Sequence, residues 1–156
     1  MSEDFYDRTA DQYIQQTIDA NMAALYAEFL PSVRPGGLIL DAGCGSGRDS
    51  RAFLDRGFRV VAFDASHRMA AYASAFTGLS VECKTFGDVD WEGMFDGIWC
   101  CASLLHVPAD KFEGVCTRLL RALKPGGVWS RISQVDYRFR CPDRGIFFIN
   151  HGVDDL

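Results

Sequence analysis

Apolar and polar positions along this chain follow two periods in turn. Strand-like runs fall at 38–42, 59–63, 79–85, 95–101 and 128–132, bounded by glycine, proline or acidic residues. Helical spacing fills the intervals. Met22, Leu25, Tyr26, Phe29 and Leu30 make one apolar stripe that Pro31 ends, and Arg34-Pro35-Gly36-Gly37 reads as a turn. A helix is predicted over 50–56, with Gly57 as its C-cap. Ser66 is placed to cap another, with Met69, Ala70, Ala73 and Phe76 on one face and Gly78 behind it. Asp110 is placed to cap a third, striped by Phe112, Val115, Cys116, Leu119, Leu120 and Leu123 and stopped by Lys124-Pro125-Gly126-Gly127. Residues 4–16 carry Phe5, Tyr6, Tyr13 and Ile14 among polar neighbours and read as a short helix or a lid-like segment.

Strands alternating with helices predict a three-layer, Rossmann-like α/β fold: a mostly parallel sheet with helices on both faces. The length suits one domain over 1–156, with 1–30 as an N-terminal helical lid segment and 136–156 as an atypical tail. Residues 145–150 have strand character, but no further strand is left to pair with them, so the C-terminal strands read as incomplete. Strand five would then expose an edge that invites pairing with another chain, and a homodimer through the tail is expected.

The chemistry concentrates at Asp41-Ala42-Gly43-Cys44-Gly45-Ser46-Gly47, where an apolar strand ends in an acid and a glycine-dense loop leads into a helix. Glycines there let a ligand approach the backbone, and a parallel sheet binds ligands at the carboxyl ends of its strands. The spacing is not the G-x-G-x-x-G of nicotinamide dinucleotide folds, and the phosphate loop ending in G-K-[ST] is absent. Asp64 ends strand two about twenty residues later, where a carboxylate can accept both hydroxyls of a ribose. A helix cap is the competing role. Asp41 is also open to a purely structural role as a buried carboxylate. Arg48 can meet a carboxylate or sit in an exposed salt bridge.

The loop from Asp41 to Gly47 resembles motif I of the class I S-adenosylmethionine-dependent methyltransferases, and the acid at Asp64 makes the resemblance more specific. Phe95-Asp96-Gly97-Ile98-Trp99, Leu104-Leu105-His106-Val107 and Leu123-Lys124-Pro125-Gly126-Gly127 extend the resemblance over roughly residues 4 to 132. Phe5-Tyr6-Asp7 with Ala10 and Tyr13 is similar to the opening of the small-molecule branch, and the compact tellurite-resistance methyltransferases are the nearest kind. The resemblance implies S-adenosylmethionine as cofactor, S-adenosylhomocysteine as product and a small-molecule methyl acceptor. It implies that Asp41, Ala42, Gly43, Cys44, Gly45 and Gly47 border the methionine end, with Asp64 and Ala65 at the ribose. Phe86, Gly87 and Asp88 would border the adenine, and Ala102 and Ser103 would lie near the methyl group. Tyr6 and Tyr13 would close over the cofactor or else simply pack their helix. His106 falls on the expected rim, as a general base or as a packing residue. Members of this family carry two further antiparallel strands, of which only one candidate remains here. A non-catalytic or truncated S-adenosylmethionine-binding domain is the alternative reading.

Composition changes this picture little. The net charge of −5 argues against a dedicated nucleic-acid partner, no run is long enough to span a bilayer, and the acidic start lacks a signal peptide, so a cytoplasmic protein is expected. Six cysteines without Cys-x-x-Cys spacing and three scattered histidines suggest no metal site, and the cysteines read as small buried apolar residues.

Overall fold

Strand β1 (Leu38–Ala42) takes the centre of the sheet because both of its faces are apolar: Ile39 and Leu40 are fully buried and point to opposite sides. The structure, a computed structural model, describes residues 3–101, 103–132 and 147–151. In chain order its elements are α1 (Glu3–Thr17), α2 (Ala23–Phe29), β1, α3 (Arg48–Asp55), β2 (Arg59–Asp64), α4 (His67–Thr77), β3 (Glu82–Cys83), β4 (Phe95–Cys101), α5 (Ala109–Ala122), β5 (Leu123–Ile132) and β6 (Phe147–His151). Short 3-10 turns lie at Leu30–Ser32, Phe86–Asp88 and Leu104–His106. The strand order is β3-β2-β1-β4-β5-β6, and every pair is parallel. The Rossmann-like architecture expected from the alternation is therefore present.

Two apolar clusters cover the two faces. On one, Leu40, Phe63, Ile98 and Trp129 meet Val115, Cys116, Leu119 and Leu120 of α5. On the other, Ile39, Val60, Trp99 and Val128 meet Tyr26 and Phe29 of α2, Phe53 of α3 and Ala73 of α4. Trp99 is the hub of the second face, with ring centroids of Phe29, Phe53 and Tyr26 at 5.1, 5.4 and 5.6 Å. Gly97 makes that approach possible: a Cβ there would lie 3.0 Å from Phe29 Cζ and 3.1 Å from Val33 Cγ2.

Several boundaries differ from the sequence reading. Strand three shrinks from 79–85 to two residues because α4 takes its backbone donors: Leu79 N–H goes to Thr77 Oγ1 and Val81 N–H to Ser74 Oγ. Phe76 is exposed and stacks on Tyr72, since the buried stripe runs through Met69, Ala70, Ala73 and Thr77 and leaves position 76 on its flank. Ser66 caps α4 as expected, accepting from Met69 N–H at 3.2 Å. Asp110 does not cap α5; Pro108 holds the N-cap position, and Asp110 lies in the first turn, where its charge suits the helix dipole. The helix stops at Ala122, and Leu123 already pairs with Phe95, ahead of an irregularity that resets the register at Gly97 and Val128.

The tail departs most. Residues 147–151 do form a strand, and it pairs in parallel with β5 from Val128 to Ile132. The edge expected to be open at strand five is therefore covered, and β6 takes its place as the outer strand. Parallel pairing needs a crossover of a dozen or more residues, and local sequence does not reveal where such a segment lands. Cys83 is exposed, whereas Cys44, Cys100 and Cys116 are buried; Cys141 lies outside the described residues.

Beneath the sheet's carboxyl end, a buried carboxylate joins three elements, and its arginine partner ties in a fourth. Asp49, 5% exposed, accepts from the Tyr26 hydroxyl of α2, from Trp99 Nε1 of β4 at 2.9 Å, and from Arg48 Nε and Nη2 at 3.0 and 3.3 Å. Arg48 Nη1 also donates to the carbonyl of Thr17 at the end of α1. Burial works against the guanidinium, but Asp49 outweighs it and keeps Arg48 charged. Removing one member of such a pair leaves the other charge buried alone. Asp49→Asn is thus expected to destabilise the fold by about 3–5 kcal/mol in urea unfolding, and a loss under about 1 kcal/mol would contradict the hub. Gly97→Ala is expected to cost about 1–3 kcal/mol by overpacking Phe29, read as a lowered thermal midpoint.

Candidate functional site

The loop after β1 is shaped by backbone contacts. Gly43 and Cys44 N–H groups both donate to the carbonyl of Phe63 on β2 at 3.0 Å, and Gly47 N–H donates to Cys44 at 3.0 Å. Gly43 has φ +73°, and a Cβ there would lie 2.5 Å from Ser103 Cβ. Gly47, at φ +84°, is pressed under Thr77 and Ala73 of α4 and serves as the N-cap of α3. Neither position admits a side chain.

Asp64 ends β2 beside this loop. Its Oδ2 accepts from Gly45 N–H at 2.8 Å and its Oδ1 from Ser66 N–H at 2.9 Å. Because the helix cap is Ser66, the capping role weighed for Asp64 belongs to its neighbour. Each carboxylate oxygen can accept more than one hydrogen bond, so Asp64 fixes the loop and still has acceptor capacity for a ligand.

A cleft of about 720 Å³ opens over the carboxyl ends of the strands, and Tyr13, Gly43, Gly45, Phe63, Asp64, Ala65, Phe86 and Gly87 line its first half. Tyr13 reaches it from α1, with Cε1 3.6 Å from where a Gly45 side chain would begin. Burial, then Cys101 and Asp64, push the Tyr13 phenol up, so it remains a donor. Phe86 stacks edge-on against Phe63 at 5.5 Å, giving the cleft an aromatic wall. The second half runs past Ser103, His106 and Pro108 along one face of α5, where Lys111, Gly114, Val115 and Arg118 project. His106 is half-buried, and burial pulls its pKa below the ordinary value, which keeps the ring neutral and able to take a proton.

The remaining expected residues stand back from the cleft. Asp41 is 1% exposed and accepts from Ser50 Oγ at 2.6 Å, beneath the loop. Burial, then the Asp49 charge, raise its pKa. Ala42 is fully buried, and its carbonyl accepts from Ser103 Oγ at 2.8 Å. Cys44 packs into the second apolar cluster, with its thiol pushed up by burial. Asp88 is outside the cleft lining, and its Oδ2 accepts from both Thr85 N–H and Thr85 Oγ1 at 2.9 Å, bonds that lower its pKa. Asp88 thus closes a reciprocal cap on the 86–88 turn. Ala102 lies outside the described residues, as does the side chain of Tyr6. The sequence reading missed the α5 face, although its spacing of three, one and three residues was a usable signal. It also missed Asp49, an acid next to an arginine that local pattern cannot distinguish from a surface pair. Among the described residues no group of three or more His, Cys, Asp or Glu side chains is arranged to hold a metal, and no helix is long and apolar enough to cross a membrane.

Known proteins fit this geometry. The chain is 34% identical over 125 residues to 2-methyl-6-phytyl-1,4-hydroquinone methyltransferase of Synechocystis sp., covering 76% of this chain and 39% of that protein. It is 32% identical over 162 residues to malonyl-[acyl-carrier protein] O-methyltransferase of Pectobacterium atrosepticum, covering 96% and 60%. The chain thus spans between about two-fifths and three-fifths of the length of these relatives. The crystal structure of Burkholderia thailandensis 1,6-didemethyltoxoflavin-N1-methyltransferase, which holds 1,6-didemethyltoxoflavin and S-adenosylhomocysteine, superposes with a TM-score of 0.66 at 29% identity, covering 78% of this chain and 56% of that one. The match to the methyltransferase domain family runs over residues 39–127, from the middle of β1 to the turn inside β5. With the glycine loop, Asp64 and the cleft on one side of a parallel sheet, the chain belongs to that methyltransferase family.

Proposed function

We propose that this chain binds S-adenosylmethionine and transfers its methyl group to a small-molecule acceptor. The observation that carries the reading is the Asp64 carboxylate, fixed by Gly45 and Ser66 amides at the mouth of a cleft whose floor bears no side chain at Gly43. The residues present fit such a cofactor. Asp64 would accept the ribose hydroxyls, Phe86 and Phe63 would face the adenine, and Gly43 and Gly45 would leave room for the methionine end. Ala65 and Gly87 line the same wall, and Tyr13 would close the cleft from above.

The cofactor supplies a methyl group already activated on a sulfonium. The chain's own part is to orient, to exclude water and to accept a proton where the acceptor loses one. Tyr13 and α1 shield the loop. His106, neutral and half-buried on the cleft wall, is placed to take the proton. The half-cleft along α5 leaves space beyond a cofactor, which supports a dissolved acceptor over a macromolecular one. The acidic net charge supports a cytoplasmic protein without nucleic-acid or membrane partners. The homodimer through the tail belongs to this reading too, with β6 rather than β5 as the strand that would pair.

Asp64→Ala is expected to weaken S-adenosylmethionine binding by about 1–3 kcal/mol, roughly 5- to 150-fold, in isothermal calorimetry. Unchanged affinity would remove Asp64 from the site. Light scattering at high concentration is expected to give twice the 17.4 kDa chain mass, and a monomer would refute the tail dimer.

A further inference from the structure

Two carboxyls lie buried under the glycine loop, and one guanidinium serves them. Asp41 and Asp49 are 1% and 5% exposed. Arg48 directs its fork to Asp49, with its remaining bonds to the Thr17 carbonyl and Cys101 Sγ. Asp41 receives the Ser50 hydroxyl instead. Among the described residues, the titratable groups other than Arg48 that act on Asp41 supply no positive charge. Asp64 faces it from β2, Cys44 from the loop, Tyr26 from α2 and Cys101 from β4. Burial holds Tyr26, Cys44 and Cys101 in their neutral forms. Among the described residues, the two buried carboxyls share the one cation of Arg48.

We propose that Asp41 is a positioning residue that carries a proton while the cleft is empty and releases it when a cationic cofactor settles over Gly43 and Gly45. The inference rests on the S-adenosylmethionine reading above and adds a charge test to it. The O–H bond of the Asp41 carboxyl breaks, its electron pair stays on the carboxylate, and the proton passes to bulk buffer. A positive charge above the loop then faces a full negative charge below it, in surroundings that screen little. Burial already raises the Asp41 pKa, so a proton is there to be lost near neutral pH. Because binding releases a proton, affinity rises with pH while Asp41 is protonated and levels off above its raised pKa. A neutral nucleoside thioether gains nothing from this exchange, so the device separates charged cofactor from uncharged nucleoside.

Calorimetry in two buffers of different ionisation enthalpy, at several pH values around neutrality, measures the protons released. S-adenosylmethionine is expected to release between about half and one proton, and its affinity should rise up to about tenfold per pH unit before levelling. 5′-Methylthioadenosine, which lacks the cationic end, should bind without release. Asp41→Asn should abolish the release and flatten the pH profile. Ser50→Ala removes the hydroxyl that favours the charged carboxyl, so the levelling point should move to higher pH. Buffer-independent heats for S-adenosylmethionine, or release that persists in Asp41→Asn, would overturn the proposal. If Asp41→Asn does not fold, an unmoved profile in Ser50→Ala overturns it alone. Absence of any S-adenosylmethionine binding would instead sink the cofactor reading on which it stands.

Discussion

The hydrogen bond from the Gly45 amide to the Asp64 carboxylate, 2.8 Å long, links the ends of two neighbouring parallel strands. Much about the site follows from it. It holds the loop after β1 against β2, together with the two amides that converge on the Phe63 carbonyl. It also holds the half-buried Asp64 at the cleft mouth. Gly43 and Gly47 cannot carry side chains in a loop so anchored, because Ser103 and Thr77 occupy the places where they would point. The same contacts that make the turn rigid therefore leave its upper surface bare, and a bare, rigid, acid-flanked turn is what a nucleoside needs.

Beneath the loop the charges are handled differently. Asp49 is satisfied by a phenol, an indole and a guanidinium from three elements, so it serves as a structural tie between α2, α3 and β4. Asp41, eight residues before it, has one side-chain donor among the described residues, the Ser50 hydroxyl, and shares the Arg48 charge with Asp49. Three aspartates within one short stretch of the fold thus do three different things. What separates them is exposure and the identity of the donor, since the side chain is the same in each.

Much of this was legible in the sequence. Strands β1, β2 and β4 were readable because both of their faces are buried, so apolar runs such as 38–40 stand out. The glycine loop, Asp64 and the Ser66 cap were readable because turn and cap chemistry is local. What failed was decided at longer range or by a competing local bond. Strand three lost its ladder to the Ser74 and Thr77 hydroxyls of the preceding helix. The pairing of 147–151 depends on an edge more than a dozen residues back, and Asp49 takes its meaning from Tyr26 and Trp99, twenty-three and fifty positions distant. Arg48, left open between two roles, meets a carboxylate: its half-buried fork bonds Asp49.

The site joins the glycine loop and Asp64 to a further stretch of the same cleft, and α5 supplies the wall of that second part. The account stands or falls on where a nucleoside settles. Amide chemical-shift mapping with S-adenosylhomocysteine tests this most directly. The predicted result is that Gly43, Gly45, Ala65 and Gly87 shift together and saturate with one binding constant. Shifts confined to other surfaces, with those four amides unmoved, would contradict it.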